Sequence, residues 1–374
     1  MNLAPPRDLF REAARRIEGG ETLGLATLVA TRGSTPQKVG ARLLAGASGL
    51  LWGTLGGGAV EAEAVEEARK AAASGQPALR EYSLSNATDE WGLACGGTMV
   101  VFVEPLGRSA LGWLSTVSAP AGPADMVAVV TTIGGDRPGA RLVVRERGGL
   151  ERIWTDGDPA LGSRAEAMAR AVIERDGAEL AEIEGTQVYL EAFTPAPALV
   201  VAGAGHVGTA LAGLARLLGV GVTVVDDRPE YASRERFPEV DRVVAAPVAE
   251  ALGRLPIGPR TAVVVAMRNH DLDYEATAAA LRSPSRYVGL VGARRKAVLF
   301  AERAATEGIP VERVRALRCP AGLDIGARTP EEIALSVLAE WITLRQLAPS
   351  QPLRLSDDLF DQAVARGVAA RARQ

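Results

Sequence analysis

The sequence predicts an α/β protein: a mixed α/β domain over residues 1–195, then a doubly wound parallel sheet over residues 196–374. Three observations carry this. From residue 199 onward, apolar runs alternate with helix-length segments, and strands are expected at 199–203, 222–226, 242–246, 262–266 and 287–291. Strands spaced by helices pair in parallel. Just before the first of them, Thr194-Pro195-Ala196-Pro197 forms a stiff break. Finally, 374 residues exceed one ordinary core and call for two domains or three.

Composition narrows the classes. Hydrophobic residues make up 47% and charged residues 23%, as in soluble globular proteins. A net charge of −3 lacks the basic excess of a generic nucleic-acid or acidic-membrane binder. Cys95 and Cys319 are the only cysteines, too few for a disulfide framework, so a reducing, cytoplasmic setting is expected. The first 24 residues mix charges without an apolar core, and no run of 18 apolar residues occurs, so neither a signal peptide nor a membrane span is expected. With His206 and His270 as the only histidines, a multi-histidine metal site is not expected.

Within the first half, a helix is expected at 7–18, a strand at 22–31, a turn-rich stretch at 32–44 and an Ala/Glu-rich helix at 59–73. Glu61, early in that last helix, sits where the helix dipole favours an anion. Residues 107–125, rich in Gly, Pro and Ser, read as a surface connection, with strands at 126–134 and 140–146. No internal repeat stands out, and the topology of this half stays open. In the second half, Thr329, Pro330 and Glu332 predict a capped helix start.

The chemistry concentrates in glycine-bearing turns. "LVVAGAGHVGTALAGLARLLGVGVTVVDDR" (199–228) sets a strand, three glycines, a helix and a second strand ending in an acid in one register. Gly203 allows the tight turn, Gly205 admits a pyrophosphate, Gly208 permits close helix packing, and Asp226 can hold ribose hydroxyls. This makes the second half Rossmann-like. An NAD(P) ligand fits; Asp226 favours NAD, Asp227 and Arg228 leave that choice open, and the fold alone does not decide the ligand. His206 inside the loop is a donor to a phosphate or pterin oxygen, or an idle surface histidine. Arg294 and Arg295 stand at a helix start against the dipole, a conflict that an anionic ligand removes. Neither a Tyr-x-x-x-Lys pair nor a GxSxG turn appears, which weakens a dehydrogenase reading.

Taken together, "VATRGSTPQKVGARLL", "GTLGGGAVEAEA", "ACGGTMVVFVEPL", "VVAGAGHVGTALAGLA", "YVGLVGARRKA" and "GLDIGARTPEEIALSVLAE" resemble the XdhC/CoxI family, the xanthine dehydrogenase accessory factors. The resemblance implies a molybdenum cofactor (molybdopterin) chaperone rather than a catalyst. Such a protein protects the cofactor during sulfuration and inserts it into xanthine dehydrogenase or a related molybdenum hydroxylase. It works with a cysteine desulfurase, usually as a homodimer. Many relatives carry Thr-His-Asp-His where this chain has Met267-Arg268-Asn269-His270.

Cys95 directly precedes Gly96 and Gly97. Alone, it reads first as a small packed residue. Under the resemblance it becomes a molybdenum or sulfur ligand, because molybdenum is thiophilic and bare backbone lets a bulky cofactor approach. Ser34 in "GSTPQ" and Gly56 and Gly57 in "GTLGGG" are expected to line the same cleft, offering amides to anions, across from the second-half fingerprint. The alternative function is an NAD-dependent oxidoreductase using the Rossmann-like domain; a third reading is a scaffold with degenerate ligand sites.

Overall fold

The computed structural model describes residues 6–84, 96–119, 122, 124–147, 149–158 and 161–351. Helix α1 (Pro6–Glu18) leads into β1 (Leu23–Arg32), β2 (Arg42–Gly46), β3 (Gly49–Gly53), α2 (Gly58–Ser74), β4 (Ala78–Ser83) and β5 (Thr98–Leu106). Helix α3 (Leu111–Ser118) then leads into β6 (Met126–Thr132), β7 (Arg141–Glu146), β8 (Leu150–Thr155), α4 (Ser163–Arg175), β9 (Ala178–Ile183) and β10 (Thr186–Phe193). The two series have the same element order. Their antiparallel sheets also have the same strand order, β3-β2-β1-β5-β4 and β8-β7-β6-β10-β9.

The first half is therefore an internal duplication, which the sequence reading missed. Registers agree residue by residue. Leu25 faces Glu104 and Thr27 faces Arg42 in the first unit; Val129 faces Glu191 and Thr131 faces Arg141 in the second. A bulge follows Leu44, opposite Trp52, and another follows Val143, opposite Trp154. The sequence signals are short: GARLL at 40–44 against GARLV at 139–143, and VFVEPL at 101–106 against VYLEAF at 188–193.

Each sheet carries its own long helix on one face, α2 over Ala26, Leu28 and Val101, and α4 over Ala128, Val130 and Leu190. The other faces meet, joined by Leu25, Leu44, Val129, Val143 and Phe193. Burial on both faces removes the polar alternation of an ordinary antiparallel strand from β1 and β6. Helix α3 corrects the expected surface connection at 107–125. Its Trp113, Leu114 and Val117 are buried at helical spacing, between Gly112, Ser115 and Ser118 that give the stretch its loop-like composition.

Charges are exchanged between the units at the buried centre. Arg42 of β2 pairs with Glu191 of β10, its Nη1 donating at 2.9 Å, and Arg141 of β7 pairs with Glu104 of β5. Arg42 also donates to Gly40 O at 3.0 Å and stacks on Phe10 of α1; Arg141 donates to Gly139 O at 3.1 Å and stacks on Trp113 of α3. Phe10 and Trp113 pack edge to face at 5.3 Å.

The second half is the expected parallel sheet. It comprises β11 (Ala198–Ala202), α5 (His206–Leu217), β12 (Gly221–Asp226), β13 (Arg242–Ala245), α6 (Val248–Arg254), β14 (Thr261–Val265), α7 (His270–Arg282), β15 (Tyr287–Leu290), α8 (Arg294–Thr306), α9 (Val311–Ala316) and α10 (Pro330–Gln346). The strand order is β13-β12-β11-β14-β15. Apolar layers cover both faces, α5 and α10 on one and α6, α7 and α8 on the other. The capping box at Thr329 and Glu332 is present.

The halves meet at the amino-terminal edge of this sheet. Arg260, just before β14, pairs with Asp176, and Arg286, just before β15, donates to Glu174 O at 3.3 Å. Among the described residues no helix is long and apolar enough to cross a membrane.

Removing one partner of a buried ion pair strands the other charge, at a cost of about 3–5 kcal/mol. Glu191→Ala and Glu104→Ala are each expected to lose that much in urea unfolding. Similar losses at the two sites would follow from their equivalent surroundings.

Candidate functional site

At the carboxyl edge of the parallel sheet, the three fingerprint glycines answer to different constraints. Gly203 has φ +112°, and a Cβ there would lie 2.3 Å from Ala266 O; a Cβ on Gly208 would lie 1.9 Å from Gly203 O. Both are dictated by packing within the chain. A Cβ on Gly205 would meet nothing, so the fold itself does not require glycine there. Gly205 is the N-cap of α5 and supplies no side-chain cap, which leaves the first-turn amides open to an anion. His206 is exposed in that turn.

Asp226 departs from its expected role. It is 1% exposed, and its carboxylate accepts from Ala204 N at 2.8 Å, Arg228 N at 3.0 Å and Arg228 Nε at 2.9 Å. Burial opposes its charge, but Arg228 and the two amides prevail and hold its pKa below the usual carboxylate range. The carboxylate therefore ties β12 to the glycine turn rather than waiting for a ribose. The neighbouring Asp227 lies nearer the surface and pairs with Arg268 at 2.8 Å.

Arg294 and Arg295 are exposed in the first turn of α8, which also lacks a side-chain cap, and neither forms an ion pair among the described residues. Lys296, next to them, turns inward. Its Nζ lies 2.6 Å from Asp273 Oδ2 and 3.2 Å from Val291 O, while Asp273 Oδ1 accepts from Met267 N at 3.0 Å. His270 and Lys296 line a cavity of about 110 Å³ between α7 and α8. Asn269 caps α7 by accepting from Leu272 N. Half-buried Cys319 lies in the field of Lys296 and Asp273, and burial pushes its thiol pKa up.

Three glycine-bearing segments of the first half converge. A Cβ on Gly97 would lie 2.1 Å from Ser34 O, one on Gly33 3.2 Å from Gly96 O, and one on Gly56 2.7 Å from Pro36 Cγ. Ser34 and Gly96 are exposed there; Cys95 lies outside the described residues. The Gly56 and Gly57 amides do not wait for an anion. Gly56 N donates to Thr54 Oγ1 at 3.0 Å, while Leu55 N and Gly57 N donate to Glu61 at 3.0 and 3.1 Å. The Thr54 hydroxyl and these amides hold the Glu61 pKa below its ordinary value against partial burial. The chain's own carboxylate fills this turn; an acid in the first helical turn after a glycine run was the available signal.

One cleft shared by these loops and the fingerprint does not arise at the junction between the halves. The junction lies at the amino edge of the parallel sheet and the fingerprint at the carboxyl edge, roughly 16 Å away along a five-residue strand. Among the described residues, no group of three His, Cys, Asp or Glu side chains is placed to hold a metal.

A duplicated antiparallel half followed by a parallel sheet with a glycine-bearing turn at its carboxyl edge defines a two-part protein of Rossmann class. Residues 199–341 match the XdhC Rossmann domain and residues 16–83 the XdhC and CoxI family, and the chain belongs to that family. It is 28% identical to YqeB of Escherichia coli (strain K12) over 91% of its own length, but spans only 47% of YqeB. It is 28% identical to a probable xanthine dehydrogenase component of Bacillus subtilis (strain 168), covering 88% of this chain and 95% of that one. It is 25% identical to the molybdenum cofactor insertion chaperone PaoD of Escherichia coli (strain K12), covering 91% and 88%. The crystal structure of a xanthine dehydrogenase from Bacillus halodurans shares the fold, with a TM-score of 0.61 at 24% identity over 93% of this chain and 98% of that one.

Packing and capping separate two glycine variants. Gly208→Ala is expected to destabilise by about 1–3 kcal/mol through overpacking, whereas Gly205→Ala is expected to cost about 0.5–1 kcal/mol through the poorer N-cap, with no clash; thermal unfolding reads both. A second expectation concerns pH. Because the Glu61 pKa is depressed in the folded state, its contribution is present above the ordinary glutamate pKa of about 4.3 and is lost as pH falls through the folded value. Glu61→Gln should therefore melt below the parent at pH 7, and the gap should close on acidification below about pH 4.

Proposed function

We propose that this chain is a molybdenum-cofactor-binding chaperone that protects the cofactor during sulfuration and inserts it into xanthine dehydrogenase or a related molybdenum hydroxylase. The observation that carries this reading is the similarity to PaoD, which runs through both halves and 88% of PaoD's length. The carboxyl edge fits a phosphate-bearing group: open space at Gly205, uncapped first turns of α5 and α8, exposed His206, and Arg294 and Arg295 without ion pairs among the described residues. These residues would hold the cofactor's phosphate. The cofactor itself supplies the redox centre of the client hydroxylase, and this chain binds, shields and hands it over. Cys95, which precedes Gly96 in the sequence, is proposed as the thiolate that ligates molybdenum or carries sulfur. A cysteine desulfurase, the client hydroxylase and a second copy of this chain are the proposed partners, in the cytoplasm.

One observation favours a second reading, an NAD(P)-dependent oxidoreductase. Lys296 and Asp273 form an inward-facing ion pair at the ends of β14 and β15, a geometry able to move a proton beside a bound dinucleotide. A single experiment separates the two. The protein is purified anaerobically from cells that make the cofactor, assayed for molybdenum and pterin, and titrated with NAD(H). Stoichiometric pterin without NAD binding is expected, with Cys95→Ala lowering the molybdenum content. Tight NAD(H) binding without pterin would replace the chaperone reading with the oxidoreductase.

A further inference from the structure

The duplication lets each unit serve as an internal reference for the other, and they differ at one place. In the second unit, Trp154 of β8 packs on Gly112 of α3, where a Cβ would lie 2.2 Å from the indole. Phe10 and Trp113 occupy equivalent positions under the two central arginines, so the residue equivalent to Gly112 is Leu9. A leucine there bars the equivalent Trp52 from the corresponding seat.

The loops behind these tryptophans diverge in the same sense. Leu28 N donates to Ala41 O and Gly40 N to Leu28 O; Thr132 N donates to Ala140 O and Gly139 N to Thr132 O. These bonds align Lys38 with Arg137 and Thr54 with Asp156, since Ala41 N reaches Lys38 O as Ala140 N reaches Arg137 O, and Thr54 N reaches Arg42 O as Asp156 N reaches Arg141 O. In the second unit the place is tied shut. Arg137 donates to Asp156 O at 3.2 Å, Asp156 Oδ2 accepts from Arg141 N at 2.7 Å, and Thr132 donates to Arg137 O at 2.5 Å. In the first unit the connecting loop is longer, Lys38 is exposed with no ion pair among the described residues, and Thr54 turns away to Glu61.

The result is a groove of about 620 Å³ in the first unit, lined by Leu9, Pro36, Gln37, Lys38, Trp52 and the bare backbone at Gly40 and Gly53. Its size is that of a small-molecule site, with apolar walls and a few polar groups. The indole of Trp52 and the ring of Pro36 offer surface to a flat ring, the Gln37 amide offers a donor and an acceptor to ring heteroatoms, and Lys38 supplies a positive charge without an internal partner.

The geometry points to this groove as a binding site for a flat heteroaromatic ring carrying an anionic group, held by Trp52 and Lys38. Its occupant under the proposed function is a pterin, and that identification rests on the chaperone reading; the site itself does not.

The test titrates two probes, pterin-6-carboxylate and AMP, into the full-length protein by calorimetry. The panel is the parent, Lys38→Glu and Trp52→Leu. At least one probe is expected to bind the parent and to weaken about tenfold or more on loss of the Lys38 charge or the Trp52 ring. Lys38 is exposed, so its replacement does not threaten folding, and thermal unfolding checks Trp52→Leu. Preference for the pterin over AMP assigns the source of the ring, and the reverse preference assigns a nucleotide. Failure of both probes to bind, or binding indifferent to both Lys38→Glu and Trp52→Leu, overturns the groove. A protein that copurifies with molybdenum cofactor but binds neither probe here retains the chaperone function and loses this site. Groove binding without copurified cofactor retains the site and removes the chaperone reading.

Discussion

Two buried arginine–glutamate pairs, exchanged between the duplicated units, are the constraint on which the first half depends. Charges taken out of water are costly, and each is tolerated only when it meets its partner. Arg42 finds Glu191 and Arg141 finds Glu104 only if the two sheets face each other in one register, because each arginine lies on the second strand of its unit and each glutamate on the last strand of the other. A one-residue slip would turn every one of these side chains to the opposite face. The same arginines also hold the carbonyls of Gly40 and Gly139 and stack on the rings of α1 and α3. Sheet packing, loop entry and helix placement thus converge on two guanidinium groups. The first unit's groove opens directly beside one of them, since Arg42 reaches both the buried centre and the groove wall.

The second half was legible in the sequence because its signals are local. A parallel strand buried on both faces reads as a short apolar run, and Val263, Val264 and Val265 form one between unmistakable breaks. Gly203 and Gly208 are dictated by atoms a few residues away or on the next strand. The first half was not legible in the same way. Strands β1 and β6 lost their alternation to double burial, the repeat survives only in stretches such as GARL and the V-aromatic-x-E motif, and α3 is short enough for its Gly/Pro/Ser flanks to dominate a composition-based reading. The crossed ion pairs join residues separated by 149 and 37 positions, which no local pattern encodes.

At the candidate site the structure differs from the sequence expectation over which atoms are left for a ligand. Asp226, Gly56 and Gly57 were all read as facing a ligand, and each is satisfied from within: Asp226 by Arg228 and Ala204, and the glycine turn by Thr54 and Glu61. An acid at a strand end or a run of glycines shows that the backbone is shaped for an anion. It does not show whether the anion is a ligand or the protein's own carboxylate. That depends on residues two to seven positions away, and here Arg228 and Glu61 decide it.

Glycine discriminates best where the chain does not need it. A glycine forced by a neighbouring carbonyl, as at Gly208, reports on packing alone. Gly205 has an ordinary negative φ, open space where a Cβ would go, and a position at the start of a helix with no side-chain cap. No internal contact fills the place of the missing side chain, which leaves room for an external group at the uncapped helix start. The same logic, applied between the units, isolates Lys38 and Trp52. Where the second unit ties Arg137 to Asp156 and seats Trp154 on Gly112, the first leaves the Lys38 ammonium without an ion pair among the described residues and the half-buried Trp52 lining a groove beside a lengthened loop. The fingerprint lies at the sheet edge opposite the junction of the halves, so the contacts of that junction do not themselves bring the two features together.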